Sequence, residues 1–120
     1  MPLQKNILVI GTHRDIGEFD SILRKEGFKV DVTESFEEAF KIAKETSPEA
    51  IIFMLPVYWQ SITDFVKKAG TSLPKTEFIY IGSLIEGGDQ AVLQQFGVKT
   101  FTLGPVPKEE IVRYITKLLW

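Results

Sequence analysis

The sequence predicts an α/β domain in which a five-stranded parallel sheet lies between two layers of helices. Three observations carry that expectation. Five short apolar or β-branched runs, at 6–11, 28–32, 50–56, 77–82 and 98–102, alternate with stretches whose apolar residues recur at helical spacing. The run at 6–11 does not alternate between polar and apolar, and Ala50-Ile51-Ile52-Phe53-Met54-Leu55-Pro56 is apolar throughout, as suits strands covered on both faces. Glycine or proline punctuates most boundaries, with Gly11, Gly27, Pro48, Gly70 and Gly97 where a strand or helix has to stop. Right-handed crossovers leave few topologies for five βα units. Strand order 2-1-3-4-5 is the expected one, in three layers αβα, with ligands outside the C-terminal ends of strands 1 and 3.

The elements follow in order. Asn6 to Gly11 is the first strand, and Thr12 or Asp15 is placed to cap a helix carrying Ile16, Phe19, Ile22 and Leu23 up to the stop at Gly27. After the strand at 28–32, Ser35 and Glu38 form a capping-box signature ahead of the stripe Phe36, Ala39, Phe40, Ala43. The central run 50–56 leads into a loop at 57–60 bearing Tyr58 and Trp59. Ser61 then caps a third helix with Ile62, Phe65, Val66 and Ala69 inward and Gly70 at its end. The strand at 77–82 precedes a short helix capped by Asp89, with Val92, Leu93 and Phe96 apolar and Gly97 closing it. Pro107 suits the first turn of a final helix whose Glu109 and Glu110 sit at its positive end and whose Ile111, Ile115 and Leu118 face the core.

Composition narrows the function classes. At 120 residues the chain fits one domain, 1–120, with no internal repeat or linker. A net charge of −2 offers no electrostatic reason to expect nucleic acid or an anionic membrane. The absence of cysteine excludes disulfides, thiol catalysis and cysteine zinc sites, and fits a cytoplasmic location. Neither a signal-peptide segment nor a run of membrane-spanning length is present.

Several stretches resemble the receiver domain of bacterial two-component signalling, a CheY-like, flavodoxin-like fold. Gly27-Phe28-Lys29-Val30 is similar to the family's Gly-aromatic-x-Val strand, and Glu34-Ser35-Phe36-Glu37-Glu38-Ala39 to its second helix start. Pro48-Glu49-Ala50-Ile51-Ile52 resembles its Pro-Asp-Leu-Ile-Ile approach, and Gly97 to Phe101 with Gly104-Pro105-Val106 its Gly-Ala-x-x-Tyr…Lys-Pro-Phe ending. The resemblance implies a phosphoacceptor site at the ends of strands 1, 3, 4 and 5, and there the sequence departs from the pattern. The acidic pair falls at Gly11 and Thr12, and the phosphorylated aspartate at Met54. The hydroxyl falls at Gly82, with Ser83 adjacent as a substitute, and the lysine at Gly104. Magnesium needs hard oxygen ligands and the acyl phosphate needs a carboxylate nucleophile; thioether, glycine and one hydroxyl supply neither. The resemblance therefore implies a pseudo-receiver that is not an enzyme, takes no metal or cofactor, and acts on a protein partner in a bacterium.

A second resemblance is to cobalamin-binding domains, whose Gly-Asp-x-His-Asp-Ile-Gly loop is similar to Gly11-Thr12-His13-Arg14-Asp15-Ile16-Gly17. Aligned on Asp15-Ile16-Gly17, the cobalt-ligating histidine becomes Arg14, which has no lone pair to give, while His13 stands one residue off. This implies a small-ligand module in the same crevice without cobalt ligation.

Simpler roles compete for the same residues. His13 reads as a solvated loop histidine, and Gly11 with Gly17 as a strand-to-helix turn rather than a phosphate cradle. Thr12, Ser61 and Ser83 have no histidine and acid spaced to activate them. Lys67-Lys68 and Glu37-Glu38 read as solvated helix faces. Tyr58 and Trp59 either fold over the crevice mouth or form a partner hot spot. Phe101 stands at the receiver's switch aromatic. Lys108, Glu109, Arg113, Tyr114 and Lys117 are off the apolar stripe of the last helix, where receivers pair, and are expected to face outward; Arg113 and Tyr114, with Phe101, are candidate contacts of a homodimer or another protein.

Overall fold

The computed structural model describes residues 5–12, 16–54, 59–70, 73, 75–82, 91, 93–102 and 107–119, with the backbone alone at 59–61 and 102. Nine elements are defined: β1 Asn6–Ile10, α1 Phe19–Lys25, β2 Lys29–Thr33, α2 Phe36–Thr46, β3 Ala50–Phe53, α3 Trp59–Gly70, β4 Glu77–Gly82, β5 Val98–Thr102 and α4 Lys108–Leu119. Residues 91 and 93–95 are also helical. The five strands form one parallel sheet in the order β2-β1-β3-β4-β5, as the alternation predicts.

Odd and even residues of the central strands feed separate cores, because successive side chains leave opposite faces of a strand. Ile7 and Val9 of β1, Ala50 and Ile52 of β3, and Ile79 and Ile81 of β4 pack with Phe19 and Leu23 of α1 and Ile111, Val112 and Ile115 of α4. On the other face Leu8, Ile10, Ile51, Phe53 and Phe78 pack with Ala39 and Ala43 of α2 and Ile62, Phe65, Val66 and Ala69 of α3. Ile7 through Ile10 and Ala50 through Phe53 are fully buried, which is why these runs show no polar alternation.

Helix ends differ from the sequence expectation in four places. The Ile16 N–H donates to the Thr12 carbonyl at 2.9 Å, and the helical path is broken at Gly17, whose φ is +56°. α1 restarts at Phe19 with Glu18 at its N-cap and no side-chain capping bond, so Thr12 does not cap it. Ile16 and Phe19 both reach the same core, and the left-handed glycine between them permits that. α3 begins at Trp59, which places Ser61 inside the helix rather than at its cap and Trp59 outside the expected loop. The spacing of Ile62, Val66 and Ala69, carried back one turn, reaches Trp59. Gly70 remains the last helical residue of α3, without positive φ. Finally α2 ends on Ser47, left-handed at φ 46° and ψ 63°, where a glycine is more usual. Gly27 and Gly97 do have the positive φ expected of helix stops, and the Ser35 hydroxyl accepts the Glu38 N–H at 3.2 Å, half of a capping box, while the Ser35 N–H donates to Thr33 Oγ1 at 3.2 Å.

β2 is an edge strand. The Lys29 N–H and the Thr33 carbonyl bond inward to Lys5 and Gly11, so the alternate residues Val30 and Val32 turn their backbone groups outward. Arg24 of α1 reaches across and donates from Nη2 to the Val30 carbonyl at 2.9 Å.

Candidate functional site

The C-terminal ends of β1 and β3 lie side by side. The Met54 N–H donates to the Ile10 carbonyl at 2.8 Å, and the Gly11 N–H donates to the Thr33 carbonyl at 2.8 Å, so backbone bonds hold the crevice floor from both neighbours. Met54 is 4 % exposed and belongs to the core cluster with Val9, Ile16, Ile52 and Ile81. A β-carbon on Gly11 would stand 3.2 Å from Met54 Cβ and 3.1 Å from Ile16 Cγ1. The β-carbon of an aspartate at position 11 would therefore already need Met54 and Ile16 to give way by a few tenths of an ångström. Thr12 is half-buried beside them.

Gly82, at the end of β4, is closed in a second way. A β-carbon there would lie 2.6 Å from Tyr80 Cε1 and 2.8 Å from its hydroxyl oxygen, because the phenol leans along the strand over the glycine. No hydroxyl-bearing residue fits at 82 unless Tyr80 moves. These positions do not fit magnesium: glycine, threonine and a buried thioether present no carboxylate to a hard cation. Among the described residues no three His, Cys, Asp or Glu side chains gather as a metal-ligating group.

One cation does approach the turn after β1. Lys108, the first residue of α4, brings Nζ to 3.1 Å from where a Gly17 β-carbon would stand, so it turns back toward the crevice side instead of facing outward. The sequence pattern marks Gly104 as the lost lysine position and does not reveal this lysine, which comes from a different place on the chain.

Phe101 and Tyr114 pack against each other. Their ring centroids are 5.0 Å apart with planes at 64°, and Tyr114 is 43 % exposed, the most accessible large apolar side chain among the described residues. They line a shallow hollow of about 420 Å³ with Gln94, Lys99 and Thr100. Arg113 is exposed but opens onto a different hollow, with Ile22, Glu26 and Glu109 between α1 and α4, so it does not join Tyr114. His13, Arg14, Tyr58, Ser83 and Gly104 lie outside the described residues, as does the side chain of Trp59.

The largest departure from the sequence reading is on α2 and α3. Phe36, Phe40 and Phe65 line a groove of about 580 Å³ between the two helices. Lys68 Nζ stands 4.5 Å from the Phe40 centroid, Lys44 Nζ 5.2 Å from the same ring, and Lys67 Nζ 5.1 Å from Phe96. The exposed Lys67-Lys68 pair is therefore more than a solvated face, since it lays ammonium groups over two rings. The signal available in the sequence was the pair of i, i+4 acid–lysine spacings, Glu37 with Lys41 and Asp64 with Lys68, on two helices rich in phenylalanine.

Topology, layering and the position of the crevice define a CheY-like, flavodoxin-like α/β fold. Solved structures similar to it include response regulators and receiver domains. A response regulator from Thermotoga maritima superposes with TM-score 0.83 at 14 % identity over 98 % of both chains. An orphan response regulator of H. pylori gives 0.81 at 18 % identity over 97 % of each chain. A streptococcal redox sensor of a family evolved from two-component response regulators gives 0.75 at 23 % identity, over 96 % of this chain and 51 % of that one. At such identities the likeness is one of fold. No protein-family model matches the chain, and no curated protein does. Among the described residues no helix is long and apolar enough to cross a membrane.

Proposed function

We propose that the chain is a non-catalytic pseudo-receiver, a regulatory module of bacterial signalling that works by protein–protein contact and not by aspartyl phosphorylation. The observation that carries the reading is the packing of Met54, buried against Gly11 and Ile16 at the position where the receiver pattern puts its nucleophile. The closed approach to Gly82 supports it independently, from another strand and another blocking side chain. Receiver folds with orphan or repurposed roles among the structural neighbours are consistent with it. The exposed Tyr114 with Phe101 is the partner face this reading favours, for a homodimer or another protein.

Incubation with acetyl phosphate and magnesium, followed by intact-mass measurement, is the test. The expected result is no phosphoryl adduct and no magnesium-dependent change in Trp59 fluorescence with a phosphoryl analogue. A magnesium-dependent adduct overturns the reading. The cobalamin-domain resemblance requires a ligand-sized opening between β1 and β3, and the close packing of Met54 on Gly11 counts against one. A thermal-shift screen with cobalamins, nucleotides and flavins is expected to be flat, whereas a true ligand at 100 times its dissociation constant would add about 2.7 kcal/mol.

A further inference from the structure

The groove between α2 and α3 has a direction as well as a lining. Each helix follows its strand in a right-handed crossover and packs on the same face of a parallel sheet, so α2 and α3 run parallel to each other. On both, the acid precedes the lysine by one helical turn: Glu37 before Lys41, and Asp64 before Lys68. All four are exposed and border the groove. Over one helical turn, about 6 Å, the border of the groove therefore changes from acidic to basic. Lys44, over Phe40, lies on α2 beyond Lys41, towards the basic end.

The floor between these ends is aromatic and continuous with the core. Phe36 and Phe65 centroids are 5.7 Å apart and Phe40 and Phe65 6.4 Å, while Phe53 of β3 lies 5.7 Å from Phe65 beneath them. Phe36 and Phe40 remain half-buried, which leaves apolar surface at the bottom of a cleft with charged walls.

We propose that this groove docks an amphipathic helix of a partner protein, lying antiparallel to α2 and α3. A helix carries acids in its first turn and bases in its last as a matter of course, since these complement its own macrodipole. Laid antiparallel, such a helix sets its acidic start against Lys41 and Lys68 and its basic end against Glu37 and Asp64. Its dipole then opposes those of both flanking helices. Apolar residues at i, i+3 or i+4, and i+7 enter over Phe36 and Phe65, and over Phe40 as the Lys44 and Lys68 ammonium groups swing off its ring to meet the acids, as in helix-in-groove recognition. A parallel helix meets like charge at both ends. A second copy of this chain fits less well, because a two-fold contact sets one cleft against another. The described exposed knob, Tyr114, packs on Phe101 in the opposite core, and its insertion would produce an open head-to-tail chain.

The proposal rests on the reading that the chain acts by protein contact, and its test is independent of phosphorylation. Two stapled helical peptides serve as probes: one with leucine at i, i+3 and i+7, glutamate in the first turn and lysine in the last, the other with those charges exchanged. By fluorescence anisotropy at low salt, the first is expected to bind at least about tenfold more tightly, and a K41E/K68E double variant is expected to reverse the preference. Chemical-shift changes should fall on α2 and α3. Absence of binding, equal binding of both peptides, or a preference untouched by K41E/K68E overturns the proposal. So does a concentration-dependent dimer that K41E/K68E abolishes, which would assign the groove to a second copy. Binding that persists in K41E/K68E but is lost in Tyr114→Ala would move the contact to the Phe101 face, overturning the groove while leaving the interaction-module reading intact. A phosphoryl adduct would do the reverse.

Discussion

On one face of the sheet, isoleucines and valines of β1, β3 and β4 meet α1 and α4, and that core runs on through Met54 to fill the crevice. On the other face six of the nine phenylalanines, at 36, 40, 53, 65, 78 and 96, pack with Tyr80 around α2 and α3, and the cluster ends in an open groove. That core closes at Met54, which packs on Gly11 and Ile16, although it leaves a hollow between α1 and α4. Rings at 5.7 to 6.4 Å in the second core present their edges and faces at the surface, where lysines settle over them. The crevice is closed from both cores, by Met54 of the first and Tyr80 of the second, whereas the groove is bordered by the second alone.

The strongest way to break that contrast is Met54→Asp. A carboxylate buried among Val9, Ile16 and Ile52 with no cation from the described core is expected to cost roughly 3–5 kcal/mol in urea unfolding. It should gain no phosphorylation, because Gly11 and Thr12 still offer no magnesium ligands. A stable, phosphorylatable variant would mean that the crevice is not plugged.

Gly82→Thr probes the second closure, where Tyr80 would be displaced. Overpacking of this kind is expected to lower stability by about 1–3 kcal/mol, and the same substitution in a Tyr80→Ala background should cost less. Equal costs in the two backgrounds would show that Tyr80 is not what excludes the side chain.

The smallest effect is on the aromatic side, at the end of α2. Ser47 holds a left-handed conformation that glycine adopts without strain, so Ser47→Gly is expected to stabilise the protein by about 0.5–1 kcal/mol in thermal or urea unfolding. Destabilisation would show that Ser47 makes interactions in that turn beyond its backbone role.

These residues also show what the sequence could reveal. Strand order followed from alternation and crossover handedness alone, and the burial of 50–53 from an unbroken apolar run. Met54 could be placed at the receiver pattern's nucleophile position because the stretch from Gly27 to Met54 aligns with that pattern without a gap. Ser47 was not legible, since Pro48 masked the need for a left-handed residue before it. The break at Gly17 was hidden because Ile16 and Phe19 keep helical spacing across it, although the chain between them does not stay helical. The Phe36–Phe40–Phe65 groove was missed for a different reason. Each helix, read separately, shows an ordinary apolar stripe with charged neighbours. Only the parallel alignment of two helices, imposed by the crossovers, turns two local i, i+4 pairs into one polar axis.

Arg24 bears on how the domain behaves among its own copies. An exposed parallel edge such as β2 presents backbone groups that can recruit a strand from another molecule, the first step of sheet-to-sheet aggregation. The guanidinium on the Val30 carbonyl occupies one of those outward acceptors and puts a charge beside the edge. The cost of attachment there includes stripping that cation from its oxygen. The domain can therefore leave helix surfaces open to partners while discouraging growth along its sheet, which would give colloidal protection from a single side chain.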